Sequence, residues 1–373
     1  TDKHYEYWMT ASSFLAYGGA LRVVRSDDPM LQNAFIGAGT SIKINSPENY
    51  SQLGYDENVI PNFTFVAQNP GSWANGIKVS VVDGKADQIL SGISTSGVQV
   101  GYGITQNVTG RIISGSGSTS VLSGYVKGII TEISGVNKIG VKILSYISNG
   151  VETPVSYTIG GSYNFGTDFN ISVYDNSGVG IATTTPSLQT DWYNQQFITL
   201  SNGNKISWNS IAPRPSTSSY AEARGGKNDE IHIVAIDDTG KITGNAGTII
   251  EKFLSLSKAT DAEFSVGNTS YWRKYLKTNS NYIFGGSSPV GIVTTAFSQG
   301  FTLVTTGGWD QTSNNISFAC YGAVDNILSG GKNYDGGSDT TVSGSLTASI
   351  ADLVSGYNLF NNSDNYKICL LYT

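Results

Sequence analysis

Residues 63–82 read FTFVAQNPGSWANGIKVSVV, and this stretch decides how the rest of the chain is interpreted. Two runs, residues 60–66 and 77–82, are rich in β-branched and aromatic residues, which is the composition of β-strands. Between them lies Asn-Pro-Gly-Ser-Trp-Ala-Asn-Gly at 69–76, whose Pro-Gly pair is typical of a turn. The stretch therefore predicts two strands that form a hairpin around a rigid turn.

The composition indicates a folded protein with more than one domain. The chain has 373 residues, of which 39% are hydrophobic and only 13% are charged, and it contains 45 glycines. A single hydrophobic core stops growing at about 250–300 residues, so we expect two or three domains. Many glycines and few charges are typical of short strands joined by turns. We therefore expect an α+β, β-rich multidomain fold.

Charge and cysteine content narrow the function classes. The formal net charge of −6 gives no field that attracts phosphate backbones, so we expect no direct nucleic-acid binding. Cys320 and Cys369 are too few for a disulfide framework, and we expect both to be free buried thiols. No run approaches the ~20 apolar residues of a membrane helix, and no secretion leader opens the chain. We therefore expect a soluble protein without membrane insertion.

Helix-strand units are predicted at both ends of the chain. Residues 5–17 carry apolar side chains at helical spacing, stop at Gly18, and are followed by an apolar strand at 20–25. The same order recurs in a helix at 349–357 that opens with a capping box, and a strand at 367–372. Strands this apolar need cover, so we expect one split α/β core layer with the remaining chain inserted. The apolar terminal strand also suggests that the native chain continues.

The first inserted region is predicted to be entirely β. Residues 88–156 alternate Gly, Ser, Val and Ile in short runs without a helical period, which favours a small β-barrel or sandwich. The Gly/Ser run at 114–118 is expected to be a mobile hairpin loop. These patterns define three domains: a split core at 1–55 and 342–373, a middle α+β domain at 56–87 and 157–341, and an outer β-domain at 88–156.

The middle domain shows both strand and helix signals. We predict a strand at 230–236 and another at 281–284. A capping box at 248–251 predicts the start of a helix, and a second short helix is predicted at 270–277. Residues 285–345 are rich in Gly, Ser and Thr, and we expect them to be mostly loop.

Each candidate for catalysis or metal binding has a simpler interpretation. The Asp-Thr-Gly triplet at 238–240 matches that of aspartic proteases, but those enzymes need two facing copies and the sequence has one. A turn is therefore favoured. The acidic pairs at 27–28 and 237–238 lack the alternating ligands of calcium loops, and His232 lies within a strand without a nucleophile elbow nearby. We predict no catalytic residue, no metal ligand and no cofactor.

The turn at 69–76 is assigned a structural role. Trp73 has two interpretations of equal weight: it anchors a hairpin against a neighbouring domain, or it is an ordinary core tryptophan. Both interpretations concern architecture rather than chemistry. The predicted structural motif consists of Asn69, Pro70, Gly71, Trp73, Asn75 and Gly76.

Four passages, in matching order, resemble the contractile tail sheath proteins of myoviruses. The most recognisable is the Pro-Gly-x-Trp-x-Asn turn with its flanking strands. The passages are residues 7–25, 63–79, 208–232 and 349–372, and the third is similar to sheath proteins of phages that infect marine cyanobacteria. Family members are considerably longer, so the family's tube-binding and arm-exchange residues are assigned to no position of this sequence.

The resemblance implies a mechanical subunit and not an enzyme. Sheath subunits form helically stacked six-fold rings around a tail tube and contract to drive that tube through the host envelope. The implied partners are further copies of the chain, the tail tube protein, the baseplate and the tail terminator. The implied location is the virion tail, assembled in the cytoplasm of the host bacterium. The alternative is a cell-surface or virion adhesin that binds carbohydrate, because Gly/Ser/Thr-rich strands and abundant Tyr are also typical of that class.

Overall fold

The computed structural model describes residues 5–18, 21, 31–57, 59–115, 118–288, 305–333 and 350–358. Within these ranges the α-helices are α1 (Tyr5–Ala16), α2 (Pro47–Gln52), α3 (Ser219–Glu222), α4 (Trp272–Asn279) and α5 (Ile350–Asn358). The strands are β1 (Phe35–Gly37), β2 (Phe63–Ala67), β3 (Ile77–Asp83), β4 (Gln88–Ser91), β5 (Gly103–Asn107), β6 (Ile112–Gly115), β7 (Ser118–Val121), β8 (Tyr125–Ile133), β9 (Lys138–Ser148), β10 (Val151–Pro154), β11 (Ile171–Tyr174), β12 (Gly180–Thr184), β13 (Leu188–Asp191), β14 (Phe197–Thr199), β15 (Lys205–Ser207), β16 (Glu230–Asp237), β17 (Thr248–Ser257), β18 (Glu263–Ser265), β19 (Asn268–Thr269), β20 (Ile283–Gly285), β21 (Thr305–Gly307), β22 (Ile316–Phe318) and β23 (Ala323–Ile327). The fold is α+β and β-rich, as the composition predicts.

A four-stranded antiparallel sheet with the order β17-β16-β3-β23 forms the central part of the fold. Successive residues of a strand point to opposite faces, so β3 and β16 supply two separate cores. Val79 and Ile233 pack with Trp272 on one face, whereas Val82 packs with Trp208 on the other. This cover on both faces explains why β3 is buried along its whole length.

A three-stranded sheet with the order β1-β2-β20 lies beside one of these cores. Helix α2 begins after Ser46, whose hydroxyl accepts a hydrogen bond from the Asn49 N–H, and Pro47 occupies the first turn. The helix places Tyr50 in a stacked contact with Phe284, with 4.5 Å between ring centroids. The Tyr50 hydroxyl also donates to the Gly285 carbonyl at 2.6 Å, which fixes α2 against β20.

The outer sheet is antiparallel, with the order β12-β11-β5-β8-β9-β4-β13 and with β10 beside β9. β12 and β13 are its two ends, yet only residues 185–187 separate them, a link that spans at most about 14 Å. The sheet therefore curls into a half-barrel around its own apolar core. The predicted β-structure at 88–156 is confirmed, and the same sheet continues through β11 to β13 and ends at Asp191.

The half-barrel begins and ends at one place. Gln88 in β4 pairs with Asp191 in β13, and the Trp192 N–H donates to the Asp87 carbonyl at 3.1 Å. Arg214 holds this base together, because its guanidinium lies 2.6 Å from Asp191 and 3.3 Å from Asp87. The two connections to the remaining chain are therefore neighbours.

The helix predicted from the capping box at 248–251 is wrong, because these residues open strand β17. Thr248, Ile249 and Ile250 are β-branched, and β17 supplies the outer ladder that the buried strand β16 needs. The Glu251 carboxylate accepts hydrogen bonds from the Ser280 hydroxyl at 2.6 Å and the Asn281 N–H at 2.7 Å instead of capping a helix. Tertiary pairing overrides the local capping pattern here.

The hairpin predicted around the turn at 69–76 is also wrong, although both strands exist. β2 pairs with β1 and β20, whereas β3 pairs with β16 and β23, so the two strands belong to different sheets. The turn therefore carries the chain from one sheet into another. A local sequence pattern identifies the strands but not their partners.

Most of the other predicted elements are confirmed. The structure has the predicted helices as α1, α4 and α5, and the strands predicted at 230–236 and 281–284 as β16 and β20. Within the run at 114–118, however, Ser114 and Gly115 end β6 and Ser118 begins β7, and the two strands pair, so the loop prediction is wrong for these three residues. Within the stretch predicted to be mostly loop, β21 to β23 form between residues 305 and 333. Except for Leu21, the strands predicted at 20–25 and 367–372 lie outside the described residues, so the split core stays a prediction.

Candidate functional site

The turn at 69–76 adopts a compact shape that depends on its glycines. After the exposed Asn69 and the buried Pro70, Gly71 takes a φ of 130° and donates its N–H to the Gln32 carbonyl at 2.9 Å. A 3₁₀ turn follows at Ser72–Ala74. Gly76 then takes a φ of 99°, and a side chain there would collide with Thr239. Both glycines therefore occupy conformations that other residues rarely adopt.

A set of neutral hydrogen bonds, here named the amide clasp, fastens the turn to residues 328–333. The Asn75 side-chain amide donates to the Gly331 carbonyl at 3.0 Å and accepts the Gly331 N–H at 2.8 Å. The Asn333 side-chain oxygen accepts from the Ser72 N–H at 3.0 Å and the Ser72 hydroxyl at 3.1 Å. The clasp therefore consists of Ser72, Asn75, Gly331 and Asn333, and it joins segments about 260 residues apart.

Trp73 packs at the rim of the central core rather than inside it. Its indole N–H donates to the Asn69 carbonyl at 3.1 Å, which closes the turn on itself. The ring faces Tyr282, with 6.1 Å between centroids and 47° between planes. Trp73 is only partly buried, so it anchors the turn against the residues that precede β20.

A cluster of buried charged groups, here named the buried ion cluster, lies at the opposite end of β3. The Lys258 ammonium is 3.0 Å from the Asp83 carboxylate and donates to the carbonyls of Asn228 at 2.9 Å and Ala319 at 3.1 Å. Asp83 also accepts the N–H groups of Tyr321 and Gly322, each at 2.7 Å. Every charge in the cluster is thus paired and hydrogen-bonded, as burial requires.

Cys320 completes the buried ion cluster, with its sulfur 3.6 Å from the Lys258 nitrogen. Burial lowers the pKa of Lys258, but the acidic groups around it, chiefly the Asp83 carboxylate, together outweigh that effect and the net pKa is raised. Burial raises the pKa of the Cys320 thiol, and the nearby ammonium only partly offsets this. The cluster therefore holds an ammonium beside a neutral thiol, and a buried neutral thiol is a poor nucleophile.

The Asp-Thr-Gly triplet and its preceding aspartate organise loops. Asp238 lies 3.2 Å from the Lys78 ammonium and accepts the Ser201 N–H at 2.9 Å. Burial raises the pKa of Asp238, but the bonds from Ser201 and Lys78 outweigh it and lower the net pKa. Asp237 accepts the N–H groups of Ile242 and Thr243 at 2.9 and 2.7 Å. These contacts agree with the turn interpretation of the sequence.

His232 is a packed strand histidine, as the sequence predicts. Its Nδ1 accepts the Ser255 N–H at 2.9 Å, so the proton lies on Nε2, which donates to the Pro213 carbonyl at 2.8 Å. Burial lowers the pKa of His232, which keeps the ring neutral. Both nitrogens are therefore used in joining β16 to β17 and to the chain before α3.

A shallow groove of about 400 Å³ lies beside the amide clasp, between β1 and the end of β23. This feature is named the edge groove. Its lining combines apolar side chains with glycine and polar groups, and consists of Gln32, Phe35, Ile36, Gly37, Gly39, Thr40, Ile327, Ser329, Gly330 and Lys332. Such a mixed and open lining suits a protein segment better than a small apolar ligand.

The described ranges contain neither a metal-binding cluster nor a membrane-spanning helix. No group of three or more His, Cys, Asp or Glu side chains there is arranged to hold a metal ion. None of the helices in the same part of the chain is long and apolar enough to cross a bilayer. The residues that come together instead form the amide clasp, the buried ion cluster and the edge groove.

The sequence motif predicts the location of the clasp but contains only one of its four residues, Asn75. Ser72 lies inside the turn but outside the predicted motif, and Gly331 and Asn333 lie in the stretch predicted to be mostly loop. The buried ion cluster was missed as well. An Asp that directly follows the buried strand β3, and a Lys that directly follows β17, are the signals that could have indicated it.

Comparisons with known proteins do not identify this chain. No protein-family model, no curated protein and no solved structure matches it.

Proposed function

We propose that this chain is a structural subunit of a bacteriophage contractile tail sheath. Copies assemble as helically stacked six-fold rings around a tail tube, and their contraction drives the tube through the host envelope. The partners in this proposal are other copies of the chain, the tail tube protein, the baseplate and the tail terminator. In this proposal the protein is located in the tail of the virion.

One observation carries the proposal: four passages in order resemble sheath proteins, with the turn at 69–76 as the most specific of them. The geometry of that turn supports a mechanical role, because Asn75 and Gly76 fasten the link between two sheets to Gly331 and Leu328. A fold in which sheets are fastened firmly to each other can transmit force as a rigid body.

Assembly supplies the mechanical work in this proposal. A subunit that contacts its neighbours head to tail forms a ring where the rotation closes and an open helix where it does not, so such contacts can build stacked rings. Two alternative packings of the same rigid bodies then differ by a small free energy per subunit, and that difference sums along the tube. The half-barrel that begins at Gln88 and ends at Asp191 is attached at one base, so it can project outward without entering such contacts.

Electron microscopy of the purified chain tests the proposal. We expect concentrated protein, alone or with a tail tube, to form tubes or stacked rings with six-fold end views. The control variant is Val136→Asp, which should assemble like the wild type. Val136 is 83% exposed on a half-barrel turn, so its change leaves the central sheets intact. Wild-type protein that stays monomeric under assembly conditions would contradict the proposal.

The alternative of a carbohydrate-binding adhesin has less support from the motif. Sugar-binding sites use aromatic faces as platforms, whereas the Trp73 and Tyr282 rings are tilted by 47° and face each other. Glycan-array binding by the isolated chain, with no assembly at any concentration, would favour the adhesin.

A further inference from the structure

A protruding hairpin carries unusually exposed apolar side chains. β18 and β19 are joined by Val266 and Gly267, and Val266 is 100% exposed at the tip. Phe264 is 48% exposed and contacts Tyr275 with one edge, at 5.6 Å between centroids. Turn tips normally carry Gly, Asn, Asp, Ser or Pro. A valine and a phenylalanine here form an apolar tip that is suited to burial against another surface.

The tip and the edge groove lie at opposite edges of the central sheet. Tyr275 links the hairpin to Phe253 in β17, which is the first strand of the sheet. The groove is lined by Ile327 in β23, which is the last strand. Three strand spacings, about 14 Å, separate these edges. One copy can therefore present its tip to a second copy while its own groove remains available to a third.

The two surfaces carry opposite charge. Residues 259–270, which contain the hairpin, include Asp261 and Glu263 and no lysine or arginine. The lining of the groove includes Lys332 and no aspartate or glutamate. Opposite charges at the rim of a contact favour the correct orientation and exclude the wrong one.

We infer that the hairpin tip of one copy docks into the edge groove of the next copy of this chain. Val266 and Phe264 meet Phe35 and Ile36, and Glu263 approaches Lys332. The contact is heterologous, because the two surfaces differ, so it extends in one direction instead of closing a dimer. The inference rests on the proposed function in that it names one contact through which copies would assemble.

A single contact of this kind is weak. Specific stable interfaces bury about 1,200–2,000 Å², and one hairpin tip in a 400 Å³ groove contributes only part of that area. The contact therefore gains its strength from repetition along an assembly. Its detection requires a method that traps transient neighbours.

Disulfide trapping between two differently tagged full-length chains provides the test. One chain carries Val266→Cys and the other carries Thr40→Cys, which is exposed on the groove wall. The matched control pairs Thr40→Cys with Val136→Cys, an exposed turn position on the half-barrel. Wild-type chains, which contain Cys320 and Cys369, set the background. We expect about tenfold more mixed dimer from the Val266 pair than from the Val136 pair.

A charge exchange sharpens the same experiment. Lys332→Glu in the groove chain is expected to lower the trapped yield about threefold, and Glu263→Lys in the tip chain is expected to restore it. Equal trapping from both cysteine pairs would overturn the docking assignment. An absence of trapping, as when the groove is covered by its own chain, would overturn it as well.

The docking contact and the proposed function fail in different ways. If tubes form but the Val266–Thr40 cross-link does not, the docking contact is contradicted and the sheath proposal is not. A specific cross-link in a chain that never forms tubes or rings would support the contact and contradict the sheath proposal.

Discussion

The ladder between β3 and β23 is fastened at both of its ends, but by opposite kinds of chemistry. The amide clasp holds the start of β3 to residues after β23 with neutral groups, chiefly Asn75 and Gly331. The buried ion cluster holds the end of β3 to residues before β23 with the Asp83–Lys258 pair. The β3–β23 pair is therefore held at one end by closely packed neutral groups and at the other end by a buried ion pair.

This difference teaches which conditions each fastening depends on. Neutral amide bonds have no net charge to desolvate, but the clasp requires that two backbones approach closely at Gly331. A buried ion pair tolerates small movements but leaves a costly unpaired charge when one partner is lost. We therefore expect the clasp to be sensitive to size and the ion cluster to be sensitive to charge and pH.

The largest effect is expected from Lys258→Met. Asp83 would then remain buried without its cation, and breaking a buried pair in this way costs about 3–5 kcal/mol. Urea unfolding followed by tryptophan fluorescence measures the loss. The double variant Asp83→Asn/Lys258→Met removes the unpaired charge, so it should be more stable than the single variant. Equal stability of the two variants would refute the electrostatic account of the cluster.

Gly331→Ala should have the next largest effect. The added methyl group would collide with the Gly71 carbonyl and the Asn75 amide, and forced packing of this kind costs about 1–3 kcal/mol. Gly308→Ala is the matched control, because the nearest neighbour of its added carbon is 3.9 Å away. We expect the control to change stability by less than about 0.5 kcal/mol. A control that is as destabilised as Gly331→Ala would contradict a steric clasp.

Alkaline pH should weaken the buried ion cluster but not the amide clasp. The expected change in the free energy of unfolding is smaller than for the two substitutions above. Burial raises the pKa of Cys320, so the stability linked to this thiol is complete below its unfolded pKa of about 8.5. That contribution is lost as the pH rises from there towards the folded pKa, by about 1 kcal/mol up to pH 9.5. Cys320→Ala should flatten this slope in unfolding measurements, whereas Gly331→Ala should keep it. A slope unchanged in Cys320→Ala would place the titrating group elsewhere.

Ser80→Ala is expected to have the smallest effect, because it changes the middle of the ladder. Ser80 pairs with Asp325 across β3 and β23, and its buried hydroxyl has no hydrogen-bond partner among the described residues. Removing a buried group without a partner is neutral or slightly stabilising, within about 1 kcal/mol. Differential scanning calorimetry measures the change. A loss above about 2 kcal/mol would show that this hydroxyl does have a structural partner.

The sequence predicts elements well where local patterns decide them. β3 alternates apolar side chains and follows a Pro-Gly turn, so its position could be predicted from residues 69–82 alone. Helix α4 begins within two residues of the predicted start at Ser270. The capping pattern at Thr248–Glu251 predicted a helix wrongly. These residues open strand β17 because they pair with β16, and a short sequence pattern does not encode such a tertiary contact.

Long-range partners could not be predicted for the same reason. The motif at 69–76 contains Asn75 and Gly76, but the residues that make them necessary, Gly331 and Thr239, lie far away in sequence. Likewise, Asp83 and Lys258 look like ordinary residues at strand ends until the fold buries them together. A single sequence therefore indicates where a junction lies, and the structure is needed to say what it joins.

The neighbouring ends of the half-barrel make it a natural cassette for protein engineering. Because Gln88 pairs with Asp191 and Trp192 bonds back to Asp87, residues 88–191 can be exchanged without moving the points at which the chain leaves and re-enters. A foreign domain with adjacent termini, such as an enzyme or an epitope, could replace it, which would give one insertion site per copy of the chain. On a repeating assembly, these insertion sites would display the foreign domain at regular intervals.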